Sequence, residues 1–246
     1  MTDSADLIGA VPGGKAVYGA ALGILMLETR FARIRGDMGN ALTWPFPVLY
    51  RVVRGASAKR VVMHAAAGLL PEFIAAAQEL VELGAEAITT NCGFLSLFQR
   101  ELAQAVRVPV ATSALMQVGL VQATLPPGQR VGVITVNAAT LSPAHLQAAN
   151  VPLDTPCAGV ESGQELFRVL VNAEKNDLDV RRAERDVLDA GRALTARHPE
   201  VGAIVLECTN MPPYAAALQA QAGVPVYDIY SMISWFHAGL RPRAFS

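Results

Sequence analysis

Apolar residues fall along this chain in two alternating rhythms. Short unbroken runs rich in Val, Ile and Leu occur at 20–27, 48–53, 85–90, 108–111, 131–136, 201–207 and 224–228, with a weaker one at 151–155. Runs of that length without polar alternation predict strands buried on both faces, the habit of a parallel sheet. Between them the apolar spacing lengthens to that of a helix. In 71–83, Phe73, Ala77, Leu80 and Val81 stand at i, i+4, i+7 and i+8, with Pro71 in the first turn and Gly84 just past the end. Shorter patterns of the same kind cover 96–106 and 212–222. The charged stretch 164–198 has room for two helices with a break near Asn176-Asp177. Such alternation predicts an α/β fold built on parallel sheet.

The pattern also repeats. The segment AEAITTNCGFLSLFQRELAQAVRVPV, 85–110, aligns without a gap on VGAIVLECTNMPPYAAALQAQAGVPV, 201–226. The differences 208 − 92, 218 − 102 and 225 − 109 all equal 116, so Cys92 superposes on Cys208, Phe98 on Tyr214, and one Val-Pro-Val on the other. Upstream, Gly23-Ile24-Leu25 and Gly132-Val133-Ile134 look like the opening strands of the same two units, at an offset of 109. Two similar α/β lobes are therefore expected, each a mostly parallel sheet flanked by helices, related by pseudo-twofold symmetry with a site between them. Residues 15–113 with 227–246 would form the first lobe and 114–226 the second.

Composition narrows the function classes. The 246 residues are 52% hydrophobic and 17% charged, with a formal net charge of −1. That excludes a disordered chain and offers no basic field for nucleic acid. The longest uncharged stretches contain prolines and many polar side chains and do not predict a membrane span, and the first ten residues do not spell a secretory leader. Three cysteines in a chain of this length fit a reducing compartment better than a disulfide framework, so a cytoplasmic protein is expected.

Cys92 and Cys208 carry the candidate chemistry. Each follows an apolar run and precedes a helix pattern, which places it at the carboxyl end of a strand, where open α/β sheets bind ligands. A following helix would aim free N–H groups at the loop and favour thiolate and a substrate carboxylate. Gly93 allows close backbone approach, and Asn91, Thr209 and Asn210 supply short hydrogen-bonding groups. If the lobes face each other, one thiol can remove a proton from a carbon while the other returns one to the opposite face. A lone cysteine at a strand end is ordinarily a small buried hydrophobe, and Cys157, with no counterpart in the repeat, keeps that assignment. Thr29 and Arg30, after the first strand, could grip a carboxylate. Thr135, Asn137 and Thr140 occupy the matching loop of the second lobe, where turn chemistry also explains an Asn. Gly9 to Lys15 formally spells GxxxxGK, but Ala16 stands where Ser or Thr is needed, so a flexible turn is expected. No CxxC or paired Cys/His spacing indicates zinc, and the four histidines have no metal-site spacing.

TTNCGF at 89–94 and LECTNMPPY at 206–214 resemble the two cysteine motifs of the aspartate/glutamate racemase superfamily, over roughly residues 19–240. The resemblance implies cofactor-independent chemistry at a carbon next to a carboxylate, with Cys92 and Cys208 on opposite faces and Asn91, Gly93, Thr209 and Asn210 holding the substrate. It also implies a homodimer or higher homo-oligomer and a small-molecule carboxylate as partner. The sequence departs from glutamate racemases in the first loop (Leu27-Glu28-Thr29-Arg30) and in having Asn210 where they have histidine. Phe94 and the WPFP stretch at 44–47 suggest a more apolar pocket. A racemase or epimerase is the leading expectation. A maleate-type cis–trans isomerase is an alternative, as is an arylmalonate-type decarboxylase, although that branch keeps only the second-lobe cysteine. A non-catalytic two-lobed carboxylate-binding protein is the remaining one.

Overall fold

In the computed structural model, which describes residues 13–245, the apolar runs become two four-stranded parallel sheets. The first contains β1 (Leu22–Leu27), β2 (Val48–Val53), β3 (Ala87–Thr90) and β4 (Val110–Ala111) in the order β2-β1-β3-β4. The second contains β5 (Arg130–Thr135), β6 (Cys157–Gly159), β7 (Val201–Leu206) and β8 (Val226–Tyr227) in the order β6-β5-β7-β8. Every residue of β1, β3 and β7 is buried, as unbroken apolar runs require of strands covered on both faces. The edge strand β2 is half-exposed.

The helices are α1 (Ala58–Met63), α2 (Leu70–Leu83), α3 (Gln99–Ala105), α4 (Val118–Thr124), α5 (Pro143–Ala148), α6 (Leu166–Leu170), α7 (Val180–Arg197), α8 (Ala215–Ala222) and α9 (Ile229–Leu240). The face predicted for 71–83 buries Phe73, Ala77 and Leu80 in α2, and Gly84 at φ 131° ends it by turning its N–H back to Leu80 and Val81. The charged stretch divides into α6 and α7, and the break includes Asn176-Asp177.

The repeat is a repeat of register. Leu22 to Leu25 lie opposite Ala87 to Thr90, and Val131 to Ile134 lie opposite Ala203 to Leu206. Adding 109 to the first strand and 116 to the second converts one pairing into the other. The outer pairs follow, with Ile88 opposite Val110 and Ile204 opposite Val226. The two sheets are thus copies down to the hydrogen-bonded partner.

Two local expectations fail. Residues 151–155 form no strand, because Thr155 closes a turn onto the Pro152 carbonyl; the edge strand is Cys157–Gly159, beside Val133 to Thr135. The WPFP stretch does not line the cavity that holds the two cysteines. Trp44 stacks on Tyr230 at 5.7 Å and Phe46 on His237 at 3.6 Å, so the stretch packs against α9. Of the GxxxxGK segment, Gly9 to Pro12 lie outside the described residues, while Gly13, Gly14 and Lys15 are exposed and Lys15 pairs with Glu86. No helix among the described residues is long and apolar enough to cross a membrane.

The connection 160–179 matters for the site because residues just beyond α6 form one of its walls. Asp186 on α7 holds it: its carboxylate accepts the backbone N–H groups of Gln164, Glu165 and Leu166, each at 2.8 Å. Asp186→Ala removes three charge-assisted bonds at a buried helix start. We expect a loss of about 2–4 kcal/mol in stability, read as a lower urea midpoint at unchanged slope.

Candidate active site

The strand order reverses direction between β1 and β3, and again between β5 and β7, and these are the points where a parallel sheet opens a crevice beyond its carboxyl ends. Cys92 follows β3 and Cys208 follows β7, so the repeat delivers one cysteine to each crevice. The lobes meet at these ends, and both cysteines line one cavity. Leu27, Thr29, Phe31, Arg33, Asn91, Gly93 and Phe94 line it from the first lobe. Val136, Leu170, Val171, Glu207, Thr209 and Asn210 line it from the second.

The cysteine loops cross. Thr209 Oγ1 donates to the Asn91 carbonyl at 2.5 Å, so the residue after the second cysteine binds the residue before the first. Gly93 mirrors this: a Cβ there would sit 2.6 Å from the Glu207 carbonyl oxygen and 2.1 Å from Glu207 Oε1. Only glycine fits. The supports of the sulfurs match as well, since the Phe94 N–H stabilises the charged form of Cys92 and the Asn210 N–H that of Cys208, two residues on in each case.

The first-lobe loop is tied to the second cysteine motif. Asp37 is buried and accepts from Arg33 Nη1 at 2.8 Å and from Asn210 Nδ2 at 2.6 Å, while Arg33 Nη2 donates to Thr29 Oγ1 at 2.8 Å. The guanidinium lies 4.4 Å from the Phe31 ring centroid. Ala32 N–H, beside Phe31 and Arg33, binds the Asn176 carbonyl at 2.8 Å and bridges the two lobes. The free space between these walls is about 30 Å3, room for about two waters.

Cys92, Cys208, Thr29, Asn91, Gly93, Phe94, Thr209 and Asn210 all line the cavity. Arg30 does not. It is exposed on an outer face beside Glu28, Tyr50, Arg51 and Arg54, and Arg33, three residues on, supplies the cavity's guanidinium. The loop after β1 turns through Thr29, which sends alternate side chains to opposite sides. Asn137 does not line it either. Its Oδ1 accepts from Ala139 N–H at 3.0 Å and its Nδ2 faces Met63 Sδ at 3.4 Å, so turn formation occupies it. Among the described residues no group of three or more His, Cys, Asp or Glu side chains is placed to hold a metal ion.

Two electrostatic facts were not legible in the sequence. Both thiols are held above their ordinary range, first by burial and then by the charge of Glu207, so the N–H groups at the loops do not by themselves yield thiolate. The chain after Cys92 runs straight into a 3-10 segment at 93–98, that after Cys208 makes a turn before one at 212–214, and α3 and α8 start farther along. Arg33 pulls Cys92 downward while Asp37 pushes Cys208 upward, so the first-lobe loop acts in opposite senses on the two thiols. Glu207 itself is fully buried, with Oε2 accepting from Thr135 Oγ1 at 2.7 Å and Oε1 meeting no hydrogen-bond partner. A charged residue ending an apolar strand run, one place before the cysteine, was its one sequence signal.

With this geometry in view, comparison with known proteins gives the family. The Asp/Glu/hydantoin racemase family matches residues 113–235, and the chain belongs to it. Among curated proteins, a dimethylsulfoniopropionate lyase of Durusdinium sp. clade D is 25% identical over 95% of this chain and 86% of its own length. Dimethylsulfoniopropionate lyase 3 of Emiliania huxleyi (strain CCMP1516) is 30% identical over 85% of this chain, which spans only 56% of that relative. Among solved structures, the Nocardia farcinica maleate cis–trans isomerase with a covalently bound succinylcysteine intermediate matches with TM-score 0.60 and 15% identity, covering 90% of this chain and 92% of that one. Allantoin racemase from Pseudomonas fluorescens matches with TM-score 0.58 and 15% identity, covering 92% and 99%. These structural likenesses carry the fold.

His145 packs edge-on against Phe94 at 4.9 Å and is buried, and burial holds its pKa down to about 4. The folded state therefore keeps it neutral while the unfolded chain takes up a proton from about pH 6.5 downward. Stability is complete above that value and declines as pH falls toward 4, by up to about 3 kcal/mol from this residue. His145→Gln retains a side chain suited to capping Ser142 and lacks the titration. The expected outcome is a flatter stability profile between those limits in urea unfolding.

Proposed function

We propose that this chain is a cofactor-independent acid/base enzyme that removes the proton α to a carboxylate with the Cys92 thiolate. The observation that carries the proposal is the meeting of Cys92, Cys208 and a single guanidinium, Arg33, around one small cavity. Arg33 has five donors, of which Asp37 and Thr29 engage two, and a guanidinium fork suits a carboxylate. A carboxylate held there gains acidity at its α-carbon, because the enolate-like charge is stabilised by the same cation and by the loop amides. Cys92 is the base because Arg33 favours its charged form, and Cys208 is the acid because Asp37 and burial keep its proton on.

The fate of the carbanion divides two readings. Elimination is the first: the Cα–H bond breaks to Cys92, a double bond forms, and a group on the β-carbon leaves with its electron pair. With dimethylsulfoniopropionate, which the curated relatives are named for, the products are acrylate and dimethyl sulfide. The apolar walls, with Phe31 and Phe94 among them, suit a sulfonium better than an amino acid's ammonium, which calls for several hydrogen-bond acceptors. The second reading is racemisation, with Cys208 returning a proton to the opposite face, and the matched support of the two sulfurs favours it.

The deciding experiment supplies dimethylsulfoniopropionate and follows dimethyl sulfide in the headspace, alongside single enantiomers of amino acids and hydantoins in heavy water. Sulfide release by wild type, abolished in Cys92→Ser, supports the lyase. α-Deuterium uptake without sulfide release supports the racemase. Neither activity, with carboxylate binding intact in both Cys→Ser variants, leaves a binding protein and overturns the proposal. Arg33→Lys keeps the charge and loses the fork, and we expect kcat/KM to fall about tenfold, mainly through KM.

A further inference from the structure

The two cysteine loops hold equivalent backbone places, and the residue before each cysteine shows where they part in charge. Asn91, before the first cysteine, donates its N–H to the Leu25 carbonyl and accepts the Leu27 N–H on Oδ1 at 2.7 Å. Glu207, before the second and 116 residues later, donates its N–H to the Ile134 carbonyl, and its carboxylate is stabilised by the Val136 N–H. Ile134 and Val136 follow Leu25 and Leu27 by 109, so the amide and the carboxyl hold equivalent places in the two lobes. A neutral amide satisfies that place in the first lobe. The second lobe carries an ionisable group there instead, and gives it one more oxygen than the place can use.

That extra oxygen is Oε1. It is buried, meets no hydrogen-bond partner, and lies against Gly93, the residue directly after Cys92. An unpaired carboxylate oxygen in a dry interior costs several kcal/mol in general, and protonation of the carboxyl relieves that cost. Glu207 is also the charged group that acts most strongly on both cleft thiols.

We infer that Glu207 is the positioning residue that controls ionisation of Cys92: the thiolate forms with the Glu207 carboxyl neutral and is suppressed once that carboxyl is charged. The inference rests on Cys92 being the reactive thiol of the proposed function. A thiol beside a charged carboxylate cannot ionise cheaply, since two negative charges would share a buried site. With the carboxyl protonated, the thiol can lose its proton and the cleft carries a single negative charge. Burial holds the Glu207 pKa up to about 7, so the carboxyl changes charge near neutral pH. The groups around it are Cys92 and Cys208 on the crossed loops and Cys157 on β6, whose thiol also feels the Glu207 charge. Arg33 and Asp37 act on the two cleft thiols from the first-lobe loop, Glu161 binds the Ala138 N–H beyond Val136, and neutral His145 packs behind Phe94.

The test needs no substrate, so it stands apart from the fate of the carbanion. Intact protein is treated with iodoacetamide across a range of about pH 5 to 9, and alkylation of the Cys92 peptide is followed by mass spectrometry. In wild type the rate should climb about tenfold per pH unit, then flatten near pH 7 as the pair settles into its singly ionised form. In Glu207→Gln the plateau near 7 should vanish and the climb continue, as for an isolated buried thiol. Thr135→Val, which removes the donor to Oε2 and keeps the carboxyl, should move the onset of the plateau to higher pH. Identical profiles in wild type and folded Glu207→Gln overturn the inference. Should Glu207→Gln fail to fold, an unmoved plateau in Thr135→Val overturns it equally. Loss of sulfide release or deuterium uptake with the plateau intact would instead count against the proposed reaction.

Discussion

The crossing of the two cysteine loops is the contact on which the rest depends. Thr209 reaches the carbonyl before Cys92, and Gly93 lies against the carbonyl and carboxyl before Cys208. Because each loop supplies what the other needs, neither cysteine environment is complete within its own lobe. The backbone carbonyl of Asn91 has no strand partner there, and Thr209 satisfies it; a buried carbonyl left open would cost about 1–3 kcal/mol. The same contact sets how close the sulfurs come to a common ligand.

Around it, a second layer joins the lobes through the loop after β1. Asp37 binds Arg33 on one side and Asn210 on the other, so the cavity's cation is positioned from the second lobe's own cysteine motif. The opposite wall, Leu170 and Val171, hangs from Asp186 on α7. The cavity therefore has one side fixed by charge within the site and another fixed from a helix outside it.

Electrostatics then separates two cysteines that the repeat makes alike. Equal strand ends and equal N–H supports would give two equal thiols. Arg33 beside Cys92, Asp37 toward Cys208, and a carboxyl in place of an amide at 207 break that equality. Such an unequal pair is what the proposed removal of a proton from one face of a bound carboxylate calls for. The same asymmetry accommodates elimination, where the acid is not consumed, and racemisation, where it is.

The sequence by itself determined the two-lobed architecture, the central strands and the placement of both cysteines. Those features are written in apolar periodicity and in the offsets of 116 and 109, which the strand register reproduces residue for residue. Periodicity is a local property, and buried strands in a parallel sheet announce themselves as unbroken runs. It did not reveal β6, a three-residue edge strand beyond Pro156, too short to leave a run. Nor could it choose Arg33 over Arg30, separate Asn137 from the cavity, or place Glu207 against Gly93, because the inward side of a loop is decided by the opposing lobe. The protonation of the thiols was likewise beyond it: N–H supports are visible in a motif, while burial and a neighbour's charge arise only when distant segments share one dry space.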